Sequence, residues 1–367
     1  MTTNFVHLRV HSEYSLVDGI VRIKPLMKSL QEAQMPAVAL AHEDNFFGLF
    51  KFYRAAITAG IKPICGVDVR VLAAGDVPPA RMTLLAMNQT GYRNLTELVS
   101  RGYAQGQQHD QLHGQVVLLR EWVVQASAGV IALSGAKEGE IGHALLAGDQ
   151  QEAEHLLKFW QAAFPGRFYL ELQRTFRVND EEYLHAAMAL ATRHQVPVVA
   201  TNDVRFLHED DFEAHETRVC IGEGRTLDDV RRQRNYSNQQ YLKTPEQMAE
   251  LFADIPEALA NSVEIARRCN LEIELGKNYL PDFPVPAGMS IDEYFRKVSH
   301  EGLKQRLEVV LPQDTPGYEE KRRLYVERLD FELDIIVQMG FPGYLPIVMA
   351  FIKWDKDKEI PVGPGRG

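Results

Sequence analysis

The stretch HLRVHSEYSLVDG, residues 7 to 19, carries the residue types that bind a metal, with one of them out of place. In a β-strand alternate side chains share a face, so His11 and the residue two before it point the same way. Two histidines at that spacing would form a chelate. Here the second residue is Arg9, whose guanidinium has no lone pair to offer a cation. Ionisable residues recur where other apolar runs end: His42 and Glu43, then Asp68, then Asp203 and Arg205. Such residues at the same end of several parallel strands point to one rim, the place where α/β barrels do their chemistry.

The elements that must position them are short apolar, β-branched runs. These are FVHLRVH (5–11), PAVALA (36–41), KPICGVDVRVL (62–72), RMTLLAM (81–87), GVIALSG (129–135), RFYLELQ (167–173) and PVVATNDVRF (197–206). Amphipathic stretches such as YRNLTELVSRGY and EEYLHAAMALATRH lie between most of them. Strands alternating with helices predict βαβ units and a largely parallel sheet, and this many strands favour a closed barrel over an open one. Residues 104–118, rich in Gln, His and Gly, read as a surface loop. After residue 207 the pattern turns helical, with PEALANSVEIARRC (256–269) an amphipathic helix that has Pro256 and Glu257 in its first turn. NYLPDFPVPAGMS (278–290) reads as an extended linker. Two more helices follow, the second placing Leu324, Leu329, Leu333, Ile336 and Val337 at helical spacing. A domain boundary is expected near residue 280.

Composition narrows the classes. The 367 residues are 45% hydrophobic and 25% charged, enough for a full core and consistent with two domains. A net charge of −10 argues against a surface devoted to nucleic acid. Three scattered cysteines, Cys65, Cys220 and Cys269, make no disulfide framework and point to a reducing compartment. With no signal-peptide pattern and no apolar run of membrane-spanning length, a cytoplasmic location and no membrane partner are expected.

FVHLRVHSEYSLVDG, GLFKFYRAAITAGIKPICGVDV, LLAMNQTGYRNLTELVS, VVATNDVRF, ELFADIPEALANSVEIARRCN and QMGFPGYLPIVMAFIKWDKDKEIPVGPGRG together resemble the bacterial DNA polymerase III alpha subunits, the replicative polymerases. The resemblance runs almost from end to end. It implies a PHP (polymerase and histidinol phosphatase) domain over residues 1–280, a distorted seven-stranded β/α barrel. It implies that residues 281–367, mainly helical, begin the polymerase palm. PVGPGRG then resembles the palm loop that contacts the incoming nucleotide, with Gly363, Gly365, Arg366 and Gly367 as the phosphate-facing residues. The palm carboxylates that hold magnesium in the full-length polymerase would lie beyond Gly367, so the chain reads as a fragment that binds no cofactor of its own and is inactive alone. The implied partners are the proofreading exonuclease, docked on the PHP domain, and DNA, deoxynucleotides and other replisome subunits for the full-length chain.

The same resemblance marks departures. Metal-binding PHP domains read His-x-His where this chain has Arg9-Val10-His11, and Thr-Asp-His where it has Ala41-His42-Glu43. The usual Glu of the third strand is Asp68, the histidine opening the fourth is Arg81, the cysteine after Ser-Gly is Ala136, and Asp-x-His becomes Asp203-Val204-Arg205. His11, Asp18 and Asp203 remain. Arg9, Arg81 and Arg205 bring three fixed cations to a cleft whose carboxylates Asp18, Asp68 and Asp203 would otherwise repel one another. The expectation is a degenerate metal cleft converted to ion pairs. The alternative is a metal-dependent phosphoesterase in which His42 and Glu43 rebuild a reduced site with His11 and the aspartates. His208 and His215 flank an acidic stretch that reads as a solvated helix start, RRQRNY (231–236) reads as a surface loop, and Cys65 and Cys220 read as inert core residues. Pro346, where the family keeps an apolar residue, is tolerated only in the first turn of its helix.

Overall fold

The computed structural model describes residues 5–73, 78–106, 115–277, 281–363 and 365, and the chain divides into two compact units, Met1–Ile273 and Glu274–Gly367. Eight strands form the sheet of the first unit: β1 His7–Val10, β2 Ala37–Glu43, β3 Lys62–Leu72, β4 Ala80–Ala86, β5 Leu118–Leu119, β6 Val130–Leu133, β7 Phe168–Gln173 and β8 Val198–Thr201. Seven of them follow one path, β1-β2-β3-β4-β6-β7-β8, with the short β5 attached to the far end of β3. The path nearly closes: Val204, just past β8, bridges Val10 in parallel, donating to the Arg9 carbonyl at 3.0 Å while the His11 amide donates to Val204 at 2.8 Å. The result is a mixed α/β barrel.

The expected parallel order fails at one strand. β4 runs antiparallel to both β3 and β6, while the other pairs on the path are parallel. The reversal follows from the short β3–β4 connection, too short for a crossover helix. It also matters for the rim. Arg81, near the start of β4, pairs in register with Arg70 near the end of β3, so a residue that opens a strand stands beside residues that end their strands.

Along the strands the chemistry changes by layers. Leu8, Ala37, Ala39, Ile64, Leu85, Ile131, Leu133, Tyr169 and Val199 form one apolar cluster, packed against Ile265 and Ala266 of helix α10 (Pro256–Arg268) and Cys269 just after it. Further along, the same faces carry charge: Asp68 four residues beyond Ile64, and Glu171 two beyond Tyr169. Strand β1 is irregular: His7 pairs with Val38 and Val10 with Leu40, one residue more on β1 than on β2. Such an extra residue breaks strict alternation. Leu8 thereby joins the apolar layer and Arg9 the charged one, while His7 turns away and contacts the Lys243 carbonyl through Nε2 at 2.9 Å. The larger cluster lies under the surrounding helices, among them α1 (Ile23–Glu32), α2 (Leu49–Ala59), α3 (Gln89–Gln105) and, later in the chain, α6 (Gln150–Ala163) and α7 (Asp180–His194).

The predicted loop at 104–118 is shorter than expected. Helix α3 runs to Gln105, and Val116, Val117 and Leu118 are buried; residues 107–114 lie outside those described. The second unit contains α11 (Ile291–Val310), α12 (Tyr318–Gln338) and α13 (Tyr344–Asp357). Ser290 and Glu293 form a capping box at the start of α11, each satisfying a backbone amide of the other. Of the predicted apolar stripe on α12, Leu333 is buried, Leu329, Ile336 and Val337 are half-buried, and Leu324 is exposed. Pro346 is the third residue of α13, where its missing amide would have had no helical partner.

One backbone feature of the first unit is testable. Gly135, after β6, has φ +79°, and a Cβ there would collide with the Arg81 carbonyl oxygen. Gly135→Ala is expected to cost about 2–4 kcal/mol, read as a lower denaturation midpoint for the barrel; an unchanged midpoint would show that the turn relaxes freely.

Candidate functional site

The charged layer holds two fully buried arginines at its centre. Arg9 of β1 places Nη2 at 2.6 Å and Nε at 3.0 Å from Asp68 Oδ2 of β3, and Nη1 at 3.4 Å from Glu171 Oε1 of β7. Its Nε also lies 3.3 Å from Asp203 Oδ1, in the turn after β8. Arg205 grips that same oxygen through Nε at 3.1 Å and Nη2 at 2.8 Å, and bonds Asp18 through Nη1. Arg81 lies 3.5 Å from Asp68, 3.4 Å from Glu43 and 3.4 Å from Glu138. Arg70, opposite Arg81 in register, shares Glu43 with it and bonds Asp44 at 2.9 Å, so one carboxylate lies between two like charges that would otherwise face each other.

Burial by itself pushes carboxyl groups toward protonation. In Asp18 the Arg205 guanidinium, in Asp68 that of Arg9, and in Asp203 those of Arg205 and Arg9 more than reverse this and hold all three well below the usual carboxylate range. Asp44 is different: burial carries it up to about 7 despite Arg81. Glu171 is raised as well, burial outweighing Arg9. Histidines shift the other way. Burial, with Arg205 behind it, lowers His11, and burial takes His42 to about 3.

The resemblance to PHP domains implies a metal, and the donors that could hold one are His11, Asp68 and Asp203, whose ligand atoms lie within 4.8 Å of one another. The buried His11 Nε2 has no hydrogen-bond partner and stands 3.3 Å from Asp68 Oδ2 and 3.6 Å from Asp203 Oδ1. Yet those two oxygens are the ones bonded by Arg9 and Arg205. A divalent ion on them would stand roughly 4 Å from a guanidinium, a repulsion on the order of 8 kcal/mol at an effective dielectric constant of about 20. Of the remaining family positions Asp18 keeps one unpartnered oxygen, Oδ1, but Arg205 is bonded to the other, and the rest add no free donor. His42 Nε2 pairs with Ser12 Oγ at 2.6 Å, Glu43 is shared by Arg70 and Arg81, and Ala136 has only a methyl group. The residues present do not fit a metal.

Two family models match the chain: the PHP domain over residues 7–175, and the "bacterial DNA polymerase III alpha NTPase domain" over residues 293–367. DNA polymerase III subunit alpha of Pseudomonas aeruginosa is 63% identical over 368 residues, covering all of this chain and 31% of that protein. The subunit from Vibrio cholerae is 51% identical and that from Escherichia coli K12 49%, each over 99% of this chain and 31% of the relative. Over its whole length the chain is similar to part of the DNA polymerase III alpha subunits. It spans about a third of the length of these alpha subunits.

Several members of the cleft were not anticipated from the alpha-subunit resemblance. Glu171, Glu138, Arg70, Asp44, Arg177 and Tyr236 all contact it. Glu171 was legible in principle, as the one acid inside an otherwise apolar run, RFYLELQ. Tyr236 comes from the segment read as a plain surface loop; its hydroxyl lies 3.5 Å from Asp18 Oδ2 and Arg205 stacks over its ring. His215 is likewise no solvated residue: it is fully buried, edge-on to Tyr236, with Nε2 3.1 Å from the Asp18 carbonyl oxygen. His208 is exposed, as expected. Cys65 and Cys220 are buried and free. Gly363 and Gly365 are exposed and in no regular element, while Arg366 and Gly367 lie outside the described residues. Among the described residues no helix is long and apolar enough to cross a membrane.

Two outcomes follow for stability. Arg205→Ala strands Asp18 and Asp203 and is expected to cost about 3–5 kcal/mol, with Asp203→Asn in the same background recovering part of the loss in thermal melting. The pH dependence has a definite sign. His7, His42 and His215 are lowered by burial to about 4, 3 and 4, so between pH 6.5 and 4 the unfolded chain binds protons that the folded chain refuses. Stability falls through that window, by at most about 1.4 kcal/mol per pH unit for each histidine. Asp44, raised to about 7, works in the opposite sense but is outnumbered. A melting temperature flat from pH 7 to 4.5 would contradict this.

Proposed function

We propose that this chain forms the N-terminal part of a replicative DNA polymerase III alpha subunit, and that its PHP barrel, taken to extend to residue 280, is a non-catalytic scaffold on which the proofreading exonuclease docks. Residues 281–367 begin the palm. In the full-length protein the activity is template-directed DNA synthesis with magnesium, on DNA and deoxynucleotides, beside other replisome subunits in the cytoplasm. The similarity over the whole chain supports the polymerase assignment. The observation that carries the scaffold reading is the seating of Arg9 and Arg205 on the oxygens a metal would need.

The competing reading, a metal-dependent phosphoesterase, is favoured by one observation, the unpaired Nε2 of His11 beside two aspartates. It requires both arginines to swing off buried carboxylates before any ion can bind. Hydrolysis of a chromogenic phosphate ester with added manganese or zinc separates the two. The scaffold reading expects none above buffer; turnover abolished by His11→Ala would overturn it. Calorimetric titration of the exonuclease into the folded chain is expected to show saturable binding, and its absence would refute the docking role.

A further inference from the structure

In the second compact unit the sequence of one helix and its surroundings disagree. Residues 344–354 of α13 read YLPIVMAFIKW, with Lys353 the single charge. Ile347, Val348, Met349 and Ala350 are consecutive, and at about 100° per residue they face every side of the helix. A helix that is apolar all round belongs inside a domain. Yet the one buried residue of α13 is Pro346, while Phe351 is 69% and Trp354 58% exposed. Helix α12 repeats the mismatch on one side: Leu333 is buried, but Leu324, Phe331 and Ile335, at helical spacing, form an exposed stripe. Charge returns only after Trp354, with Asp355, Lys356, Asp357, Lys358 and Glu359.

We infer that α13 is a core helix of a larger domain, and that polypeptide following residue 367 in the same chain covers it and the outer stripe of α12. The inference rests on the reading of this chain as the first part of a polymerase subunit. The alpha subunits it resembles have the length for such an occupant, since the chain matches 31% of them. Other occupants fit less well. A second copy in a two-fold dimer would cover one side of α13 and leave the remaining sides in water. A lipid surface takes helices with one apolar and one cationic face, and residues 344–354 have no polar face. The run is also too short to cross a bilayer, which takes about 20 residues. Folding of the same polypeptide around the helix removes all of this surface from water.

The test compares the 367-residue chain with the full-length subunit that carries it, by hydroxyl-radical labelling and peptide mass spectrometry at equal radical dose. Phe331, Phe351 and Trp354 are expected to label several-fold more slowly in the full-length subunit, and at a rate independent of protein concentration in the shorter chain. Trp122 and Trp160 are buried, so fluorescence quenched by acrylamide in the shorter chain reports Trp354. Phe351→Asp should leave the melting midpoint of the shorter chain in place and lower that of the full-length subunit. Equal labelling in the two proteins, protection in the shorter chain that grows with its concentration, or an equal response of both midpoints to Phe351→Asp would each overturn the inference. Primer extension by the same full-length preparation is read separately. A subunit that extends primers with these residues still labelled refutes the covering; one that protects them without extending refutes the polymerase reading.

Discussion

The guanidinium of Arg9 between Asp68, Asp203 and Glu171 is the contact on which the barrel's upper half depends. Seven carboxylates, Asp18, Glu43, Asp44, Asp68, Glu138, Glu171 and Asp203, converge on one cleft, and at least four of them are almost wholly buried. Uncompensated, such a group could neither ionise together nor stay folded at neutral pH. Arg9 and Arg205 anchor the centre while Arg70, Arg81 and Arg177 hold the rim. Asp44 and Glu171 are the two raised acids of the cleft, burial there outweighing the neighbouring Arg81 and Arg9.

The same contact ties the site to the closure of the sheet. Asp203 has a left-handed φ of 44° and sits between β8 and the Val204–Val10 bridge. Its oxygens are held by Arg205, by Arg9 and by Gln240 at 2.8 Å. A non-glycine residue in that conformation persists where its surroundings over-determine it. Fixed cations supply that constraint at all times, whereas a bound ion supplies it only when loaded. Tethered cations hold the barrel's shape independently of metal supply.

Much of this was legible in the residues. Seven β-branched runs separated by amphipathic helices gave the barrel, and polar residues at run ends gave the rim. Arg9, Arg81 and Arg205 at positions where a metal site needs lone pairs gave the charge logic. Three things were hidden. The reversal of β4 depends on a connection length that hydropathy does not read, and the irregularity in β1 decides which of His7 and Arg9 enters the cleft. Tyr236 and Gln240 reach the cleft from an irregular segment over 30 residues downstream of Asp203, a tertiary contact that no local pattern encodes. Glu171 was visible as a lone acid in an apolar strand, the pattern most worth heeding in a buried sheet.

The claim that arginines stand in for a metal is tested most directly by elemental analysis of the chain equilibrated with manganese or zinc and freed of unbound ion. The account predicts substoichiometric metal in the parent and in Arg9→His, because Arg205 still covers Asp203 and Arg81 still faces Asp68. One or more equivalents in the parent, lost on His11→Ala, would contradict it.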